Sequence, residues 1–284
     1  MKTILIPTDF SANATHAAEY GYYLARQLKA NVILCNAFVI PVEMPQANLV
    51  AWPMYEYDAI IESCENDIKK LKEHLEKNNT ESFVPPLKCI NEPGALQDVV
   101  TELVNREKAD LIVMGAHGAS GLSGFILGNH SRRMIDYTTR PLLIVPDDVK
   151  PLPVKKIAFA SDFKNVADDL GHIYNLISIA KQLNAEILLT YVFDEKQHSK
   201  GFEKYLDEML VELSNKANYP KIYYRLIKSR SVETGLDWLC DHGQVDMLAM
   251  VHRPHNFLDK ILKGSHTQKM ANRISLPLLV FPAN

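Results

Sequence analysis

The sequence has few of the features that mark secreted, membrane-spanning or nucleic-acid-binding proteins. Its 284 residues include only four cysteines, and no two of them form a CxxC pair. No apolar run approaches the roughly 20 residues needed to cross a bilayer. Pro7 and Asp9 interrupt the amino terminus too early for a secretory signal. Because the net charge is −3 and neither half is strongly basic, we expect no binding to nucleic acid. The scattered cysteines indicate the reduced cytoplasm, and the lack of a long apolar run indicates a protein that does not bind membranes.

The chain contains an internal repeat, which indicates two domains of the same fold. Lys2–Phe10 (KTILIPTDF) matches Lys155–Phe163 (KKIAFASDF), and the RPLLIVP of Arg140–Pro146 recurs near the carboxyl terminus as LPLLVFP. A length of 284 residues suits two domains of ordinary size. We predict domains at 1–147 and 154–284, joined by a proline-bearing linker.

Short apolar runs of strand length alternate with stretches of helical periodicity in both halves. The predicted strands are Ile4–Ile6, Val32–Leu34, Pro86–Ile90, Leu111–Met114, Leu142–Val145, Ile157–Ala160, Ile187–Val192, Ile222–Ile227, Met247–Val251 and Leu278–Phe281. The predicted helices cover Ala14–Leu28, Ile60–Leu75, Leu96–Val104, Ser131–Tyr137, Leu170–Leu183, Phe202–Leu213, Val232–Cys240 and Thr267–Ile274. This alternation predicts an α/β fold with two tandem doubly wound domains, each a five-stranded parallel sheet flanked by helices.

Glycines are concentrated in one segment of the first half. Five of the 12 glycines lie between Gly115 and Gly128, directly after the predicted strand Leu111–Met114 and before a predicted helix. Open α/β sheets bind ligands at this position. Glycines allow backbone N–H groups to approach a ligand closely, and a helix N-terminus favours an anion. The segment is interpreted as a phosphate-binding loop, with a flexible surface loop as the alternative.

The glycine spacing is also that of a known family. The pattern Gly115-x2-Gly118-x9-Gly128-Asn129 closely resembles the nucleotide loop of the universal stress protein family, G-x2-G-x9-G followed by Ser or Thr. Three further segments are similar to that family: ILIPTDFS (Ile4–Ser11), ADLIVMGAHG (Ala109–Gly118) and RPLLIVP (Arg140–Pro146). The resemblance covers essentially the whole chain as a tandem pair.

The resemblance implies a fold like that of the adenine nucleotide alpha hydrolases, with the two domains related by a pseudo-two-fold axis. It also implies a stress-response protein that binds ATP, with Mg²⁺ held through the phosphates. The protein is expected to act without catalysing a reaction. The implied binding residues are Pro7, Thr8, Asp9, Ala37, Met114, Gly115, His117, Gly118, Gly128, Asn129, His130 and Ser131. Asp9 would accept from ribose hydroxyls or a metal-bound water, and Ala37 would offer its backbone to adenine.

The first half departs from the family pattern at two positions. Asn129 replaces the usual Ser or Thr, and Glu92 stands near a position where relatives often carry glycine. The larger Asn129 side chain would crowd the phosphates, and Glu92 would narrow the ribose side. ATP is the expected ligand, and AMP, ADP or a weak site are alternatives.

The second half has lost the glycines of the loop. Val251 and Pro254 stand where the first half has Gly115 and Gly118, and proline has no N–H to donate. We expect this half to bind nucleotide poorly or not at all, and to pair with the first half. The resemblance implies that Leu142–Val145 meets Leu278–Phe281 within one chain, and a homodimer is also possible.

Three other interpretations stay open. Slow ATP hydrolysis is one, although the sequence has neither a Walker A lysine nor a GxSxG elbow. A second is a metal or apolar ligand in the second half, where His252-Arg-Pro-His255 has a spacing found among zinc ligands. His266, Cys240 and His242 are the other metal-ligand candidates there. Third, Val39–Tyr57, which carries Trp52, either stacks on adenine or packs on a protein surface.

Overall fold

The structure is a computed structural model that describes residues 2–39, 54–77, 83–116, 128–163, 166–193, 200–253 and 276–282. The elements of the first half are β1 (Thr3–Pro7), α1 (Ala12–Leu28), β2 (Asn31–Phe38), α2 (Met54–Lys77), β3 (Leu87–Pro93), α3 (Leu96–Arg106), β4 (Leu111–Gly115), α4 (Asn129–Tyr137) and β5 (Leu142–Val145). Those of the second half are β6 (Lys156–Ala160), α5 (Val166–Leu183), β7 (Glu186–Phe193), α6 (Lys200–Ala217), β8 (Ile222–Lys228), α7 (Val232–His242), β9 (Met247–Val251) and β10 (Leu278–Phe281).

The strands of both halves form one continuous sheet of ten strands. Their order is β3-β2-β1-β4-β5-β10-β9-β6-β7-β8. All neighbouring pairs within each half are parallel, whereas β5 and β10 pair antiparallel. The predicted fold is therefore confirmed as two doubly wound α/β units, each with five parallel strands flanked by helices.

The junction between the halves has local two-fold symmetry. Leu143 of β5 lies opposite Leu279 of β10, and these two leucines occupy equivalent positions in the repeat. Both are almost fully buried. A pairing that joins the same position of two repeats is the intramolecular counterpart of an isologous dimer contact. The expected meeting of Leu142–Val145 with Leu278–Phe281 is thus confirmed.

Helices cover both faces of the sheet, as parallel strands require. The apolar core on one face includes residues of α1, α2, α5 and α6, and the core on the other face includes residues of α3, α4 and α7. Helix α1 packs so closely that a Cβ at Gly21 would lie 2.7 Å from Ile6 Cδ1. No helix within the described ranges is long and apolar enough to span a bilayer.

Several elements extend beyond their predicted bounds, and α2 and β3 are two of them. Helix α2 begins at Met54, inside the Val39–Tyr57 segment that shows no clear period. Strand β3 continues through Asn91 to Pro93 because these residues pair with Asn36–Phe38 of β2. Their polar sequence gives no apolar signal for a strand, so only the long-range pairing reveals it. The predicted helix Thr267–Ile274 and residues 40–53 lie outside the described residues.

Candidate functional site

The carboxyl ends of β1, β2 and β4 bring most of the predicted site residues together. Strand β1 lies between β2 and β4, and the chain leaves β1 towards α1 on one face and β4 towards α4 on the other. Ligands of open α/β sheets bind in the crevice at such a switch point. The residues placed here are Pro7, Thr8, Asp9, Ala37, Met114, Gly115, Gly128, Asn129, His130 and Ser131. His117 and Gly118 lie outside the described residues.

A tight turn after β1 presents Asp9 at this edge of the sheet. The Thr8 N–H donates to the Cys35 carbonyl at 2.8 Å, and the buried Thr8 Oγ1 accepts from the Phe10 N–H at 3.0 Å. Phe10 adopts a left-handed conformation with φ of 61°. One Asp9 oxygen accepts from the Ser11 N–H at 3.0 Å, and Ser11 caps α1. Asp9 is exposed, so its carboxylate can accept further hydrogen bonds from a ligand.

Helix α4 is attached firmly to the end of β4. The Ser131 hydroxyl, only 3% exposed, donates to the Gly115 carbonyl at 2.8 Å. The Gly128 N–H donates to the Ala116 carbonyl at 2.8 Å, which holds together the two ends of the glycine-rich loop. The family resemblance implies Ser131 as one of the binding residues. In the structure its proton is used to position α4.

The N-terminus of α4 is left open. Its N-cap residue is Gly128, in an extended conformation, and no side chain of the described residues caps the helix. The first turn contains no acidic residue, and Asn129 and His130 are exposed. The first N–H groups of a helix have no intrahelical partners and carry its positive partial charge. An exposed, uncapped helix start is well suited to binding an anion.

One residue beside this helix start escaped the sequence interpretation. Arg132 is half-buried, and its Nε is shielded from solvent without a hydrogen-bond partner in the described part of the chain. Its backbone N–H donates to the Gly128 carbonyl at 3.0 Å and closes the first turn of α4. The Arg132-Arg133 pair, one turn after a glycine-rich loop, is the sequence signal that could have identified it.

Glu92, the second departure from the family pattern, is paired with a residue of helix α3. Its carboxylate forms an ion pair with Arg106, in the last turn of α3. Arg106 also pairs with Glu102 at 3.1 Å. Arg106 therefore holds the Glu92 carboxylate against α3. Burial, together with Glu92, raises the pKa of the neighbouring Cys35 thiol to about 12.

Comparison with known proteins agrees with this arrangement. Residues 1–146 match the model of the universal stress protein family. The chain belongs to that family. Among curated members, Universal stress protein MJ0531 of Methanocaldococcus jannaschii is 30% identical over 146 residues, 51% of this chain and 81% of that protein. Universal stress protein MJ0577 of the same organism is 26% identical over 153 residues, 51% of this chain and 94% of that protein.

The fold of the whole chain is also found among solved structures. A universal stress protein from Archaeoglobus fulgidus has a TM-score of 0.70 over 99% of this chain and 96% of its own, with 18% identity. The likeness at this identity shows the fold. It extends over both halves of this universal stress protein, whereas the family model ends at residue 146.

The second half of this universal stress protein has an ion-pair network at the corresponding sheet edge. Arg253, just after β9, donates through Nε to Asp168 at 3.1 Å and through Nη2 to Asp169 at 2.9 Å. The Ser161 hydroxyl, after β6, donates to Asp169 at 2.8 Å. His172 Nε2 lies 3.3 Å from Asp168. Arg253 therefore ties the end of β9 to the start of α5, at the position that His117 occupies in the repeat.

Burial shifts the protonation equilibria within this network. Asp169 is fully buried, and desolvation raises the pKa of its carboxyl despite hydrogen bonds from Ser161 and Arg253. Burial lowers the pKa of the His172 imidazole, and the charge on Asp168 opposes this shift. Buried imidazole resists protonation because its charged form loses hydration.

The histidines suggested as metal ligands have other contacts where the structure describes them. His252 Nε2 lies 3.0 Å from Asp136 of α4 in the first half, and the His242 ring stacks on Trp238. Cys240 is buried. Within the described ranges, no group of three or more His, Cys, Asp or Glu residues is arranged to hold a metal ion. His255 and His266 lie outside those ranges.

Proposed function

We propose that this universal stress protein is a regulatory module that binds one ATP, or a related adenine nucleotide, in its first half. The observation that carries the proposal is the start of α4 at Gly128, which follows β4, while the exposed Asp9 follows the neighbouring strand β1 at the switch point of the sheet. A phosphate at this place would accept from the backbone N–H groups of α4. The four cysteines are free and scattered, which supports action in the cytoplasm.

The proposed nucleotide lies across the carboxyl ends of the strands. Its base would contact the backbone of Ala37 in β2, and its ribose would donate to Asp9 after β1. The phosphates would then extend past Gly115 to Gly128 and Asn129. Mg²⁺, when bound, would neutralise charge on the phosphates, and oxygen ligands such as carboxylates suit this ion. The module would act by binding rather than by catalysis.

The second half is proposed to hold no nucleotide. Its ion pairs between Arg253 and the two aspartates occupy the start of α5, and Pro254 cannot donate an N–H. We propose that this half, at 154–284, serves as the structural partner of a nucleotide-binding domain at 1–147. The continuous sheet supports such a pairing.

Calorimetric titration of the nucleotide-stripped protein with ATP and Mg²⁺ tests this function. The matched variant is Gly118→Pro, which copies the substitution of the second half into the first. We expect about one equivalent of ATP per chain, and loss of binding in the variant. Two equivalents would contradict the assignment of the second half, and no binding would refute the nucleotide site. Phosphate release measured in parallel would detect slow hydrolysis.

A further inference from the structure

Arg132 is a half-buried arginine whose Nε is shielded from solvent and lacks a hydrogen-bond partner among the described residues. The Nε of Arg26 is shielded in the same way, but the Arg26 guanidinium lies over the rings of Tyr22 and Tyr23. By contrast, Arg106 pairs with Glu92 and Glu102, and Arg253 pairs with two aspartates. A buried donor left without an acceptor lowers stability, and a charged group does so more than a neutral one. Such a group in a folded protein calls for a ligand or another explanation.

The acceptor that α4 could itself provide is used elsewhere. Asp136 lies four residues after Arg132, the spacing at which oppositely charged side chains pair on a helix. Its carboxylate instead lies 3.0 Å from His252 Nε2, across the junction with the second half. The Asp136 carboxylate therefore pairs with His252 at the contact between the halves rather than with Arg132. The Arg132 guanidinium is then available to bind an external anion.

Helix geometry indicates where the Arg132 side chain extends. Helical side chains lean towards the N-terminus of their helix, so we expect Arg132 to extend back over the first turn of α4. That turn begins at Gly128, and no side chain in the described ranges caps it. Helix N–H groups and a guanidinium then converge on the same region, and charge-assisted bonds from arginine to phosphate are strong and often bidentate.

The order of the strands indicates which phosphates would reach Arg132. Helix α4 follows β4, while the proposed base site lies at β2, on the other side of β1. A nucleotide extending from β2 towards α4 brings its terminal phosphates closest to this helix. We propose that Arg132 binds the terminal phosphates and makes the site selective for nucleoside di- and triphosphates over monophosphates. This inference rests on the nucleotide site proposed above.

The test compares Arg132→Gln with Arg133→Gln in the full-length chain. The two variants remove the same charge from neighbouring positions of α4, and Arg133 is exposed. ATP, AMP and inorganic tripolyphosphate are titrated into each protein. For Arg132→Gln we expect affinity for ATP and tripolyphosphate to fall on the order of 10- to 100-fold, as for loss of a charge-assisted bond, with AMP changed less than about 3-fold.

The control and a conservative variant separate binding from structure. Arg133→Gln should weaken ATP binding by no more than about 2-fold, since exposed charges are screened by salt. Arg132→Lys keeps the charge without the planar fork and should recover part of the lost affinity. Circular dichroism and thermal unfolding establish that each variant folds, and a purely structural role would shift the Tm without separating ATP from AMP.

Each outcome decides a different point. Equal effects of Arg132→Gln and Arg133→Gln, or an unchanged ATP affinity in Arg132→Gln, would overturn the role of Arg132 while the nucleotide site stands. Binding of tripolyphosphate through Arg132 without binding of ATP would support the phosphate contact and refute the nucleotide proposal. A native protein that binds neither probe would refute both.

Discussion

At the scale of single residues, burial changes the protonation of a histidine in the second half. His172 is only 3% exposed and lies against Phe281, with ring centroids 5.5 Å apart. Asp168 lies 3.3 Å from its Nε2 and is shared with Arg253. Burial lowers the pKa of His172, so the folded protein favours the neutral imidazole. We therefore expect the free energy of unfolding of this half to fall when the pH is lowered.

The sign of this dependence gives a prediction for His172→Gln. In the unfolded chain the imidazole has a pKa of about 6.5, and its pKa in the folded protein is lower. The stabilising contribution is complete above that pH and is lost as the pH falls towards the folded-state value. Urea unfolding between about pH 7.5 and 5.5 should show a flatter pH dependence for His172→Gln than for the native protein. The exposed His242→Gln is the control, and equal slopes for the two variants would contradict this role.

At the scale of elements, two helices begin with the same cap in different settings. Ser11 caps α1 by accepting from the Ala14 N–H at 3.2 Å, and Ser231 caps α7 by accepting from the Thr234 N–H at 3.2 Å. The Ser11 N–H also donates to Asp9, the proposed ribose contact. The cap of α1 therefore belongs to the turn that forms the site, whereas the cap of α7 does not.

Alanine substitutions at the two caps should separate stability from binding. Ser11→Ala and Ser231→Ala should each lower the free energy of unfolding by about 1 kcal/mol, the usual cost of losing a serine cap. Only Ser11→Ala should also weaken ATP binding, by a few-fold, because the Asp9 turn becomes less ordered. Chemical denaturation and calorimetry check the two effects. A matching loss of ATP affinity in Ser231→Ala would show that stability alone explains the change.

At the scale of the whole molecule, the sheet is the structural link between the halves. The antiparallel pair β5–β10 completes both apolar cores, since Leu143 and Leu279 belong to one core while Leu142 and Leu278 belong to the other. A disturbance at this junction should reach both halves. A disturbance near the far edge of the sheet should remain in its own half.

Leu279→Ala and Ile187→Ala test this link. Both side chains are buried, and truncation of each should cost about 2–5 kcal/mol. Leu279→Ala should also increase hydrogen exchange in β5, across the junction, because β10 pairs with one side of that strand. Ile187→Ala, in β7, should leave exchange in β5 unchanged. The same increase in both variants would mean that the halves unfold together regardless of where the damage lies.

The sequence by itself determined the strands, most helices, the two-fold repeat and the place of the glycine-rich loop. These features depend on periodicity and on spacing along the chain, which are local properties. The family of the first half was likewise evident from segments such as Ile4–Ser11 and Ala109–Gly118. The order of elements then places Asp9, Ala37 and Gly128 at one edge of the sheet.

Only the tertiary structure decided how the polar side chains are paired. Arg253 meets Asp168 and Asp169 from more than 80 positions away, and Asp136 reaches His252 across the junction instead of Arg132. Neither pairing can be predicted from the spacing of residues along the chain. Contacts between distant segments depend on how the sheet brings the strand ends together. The orientation of polar groups in the folded chain thus decides which of them are left to bind a ligand.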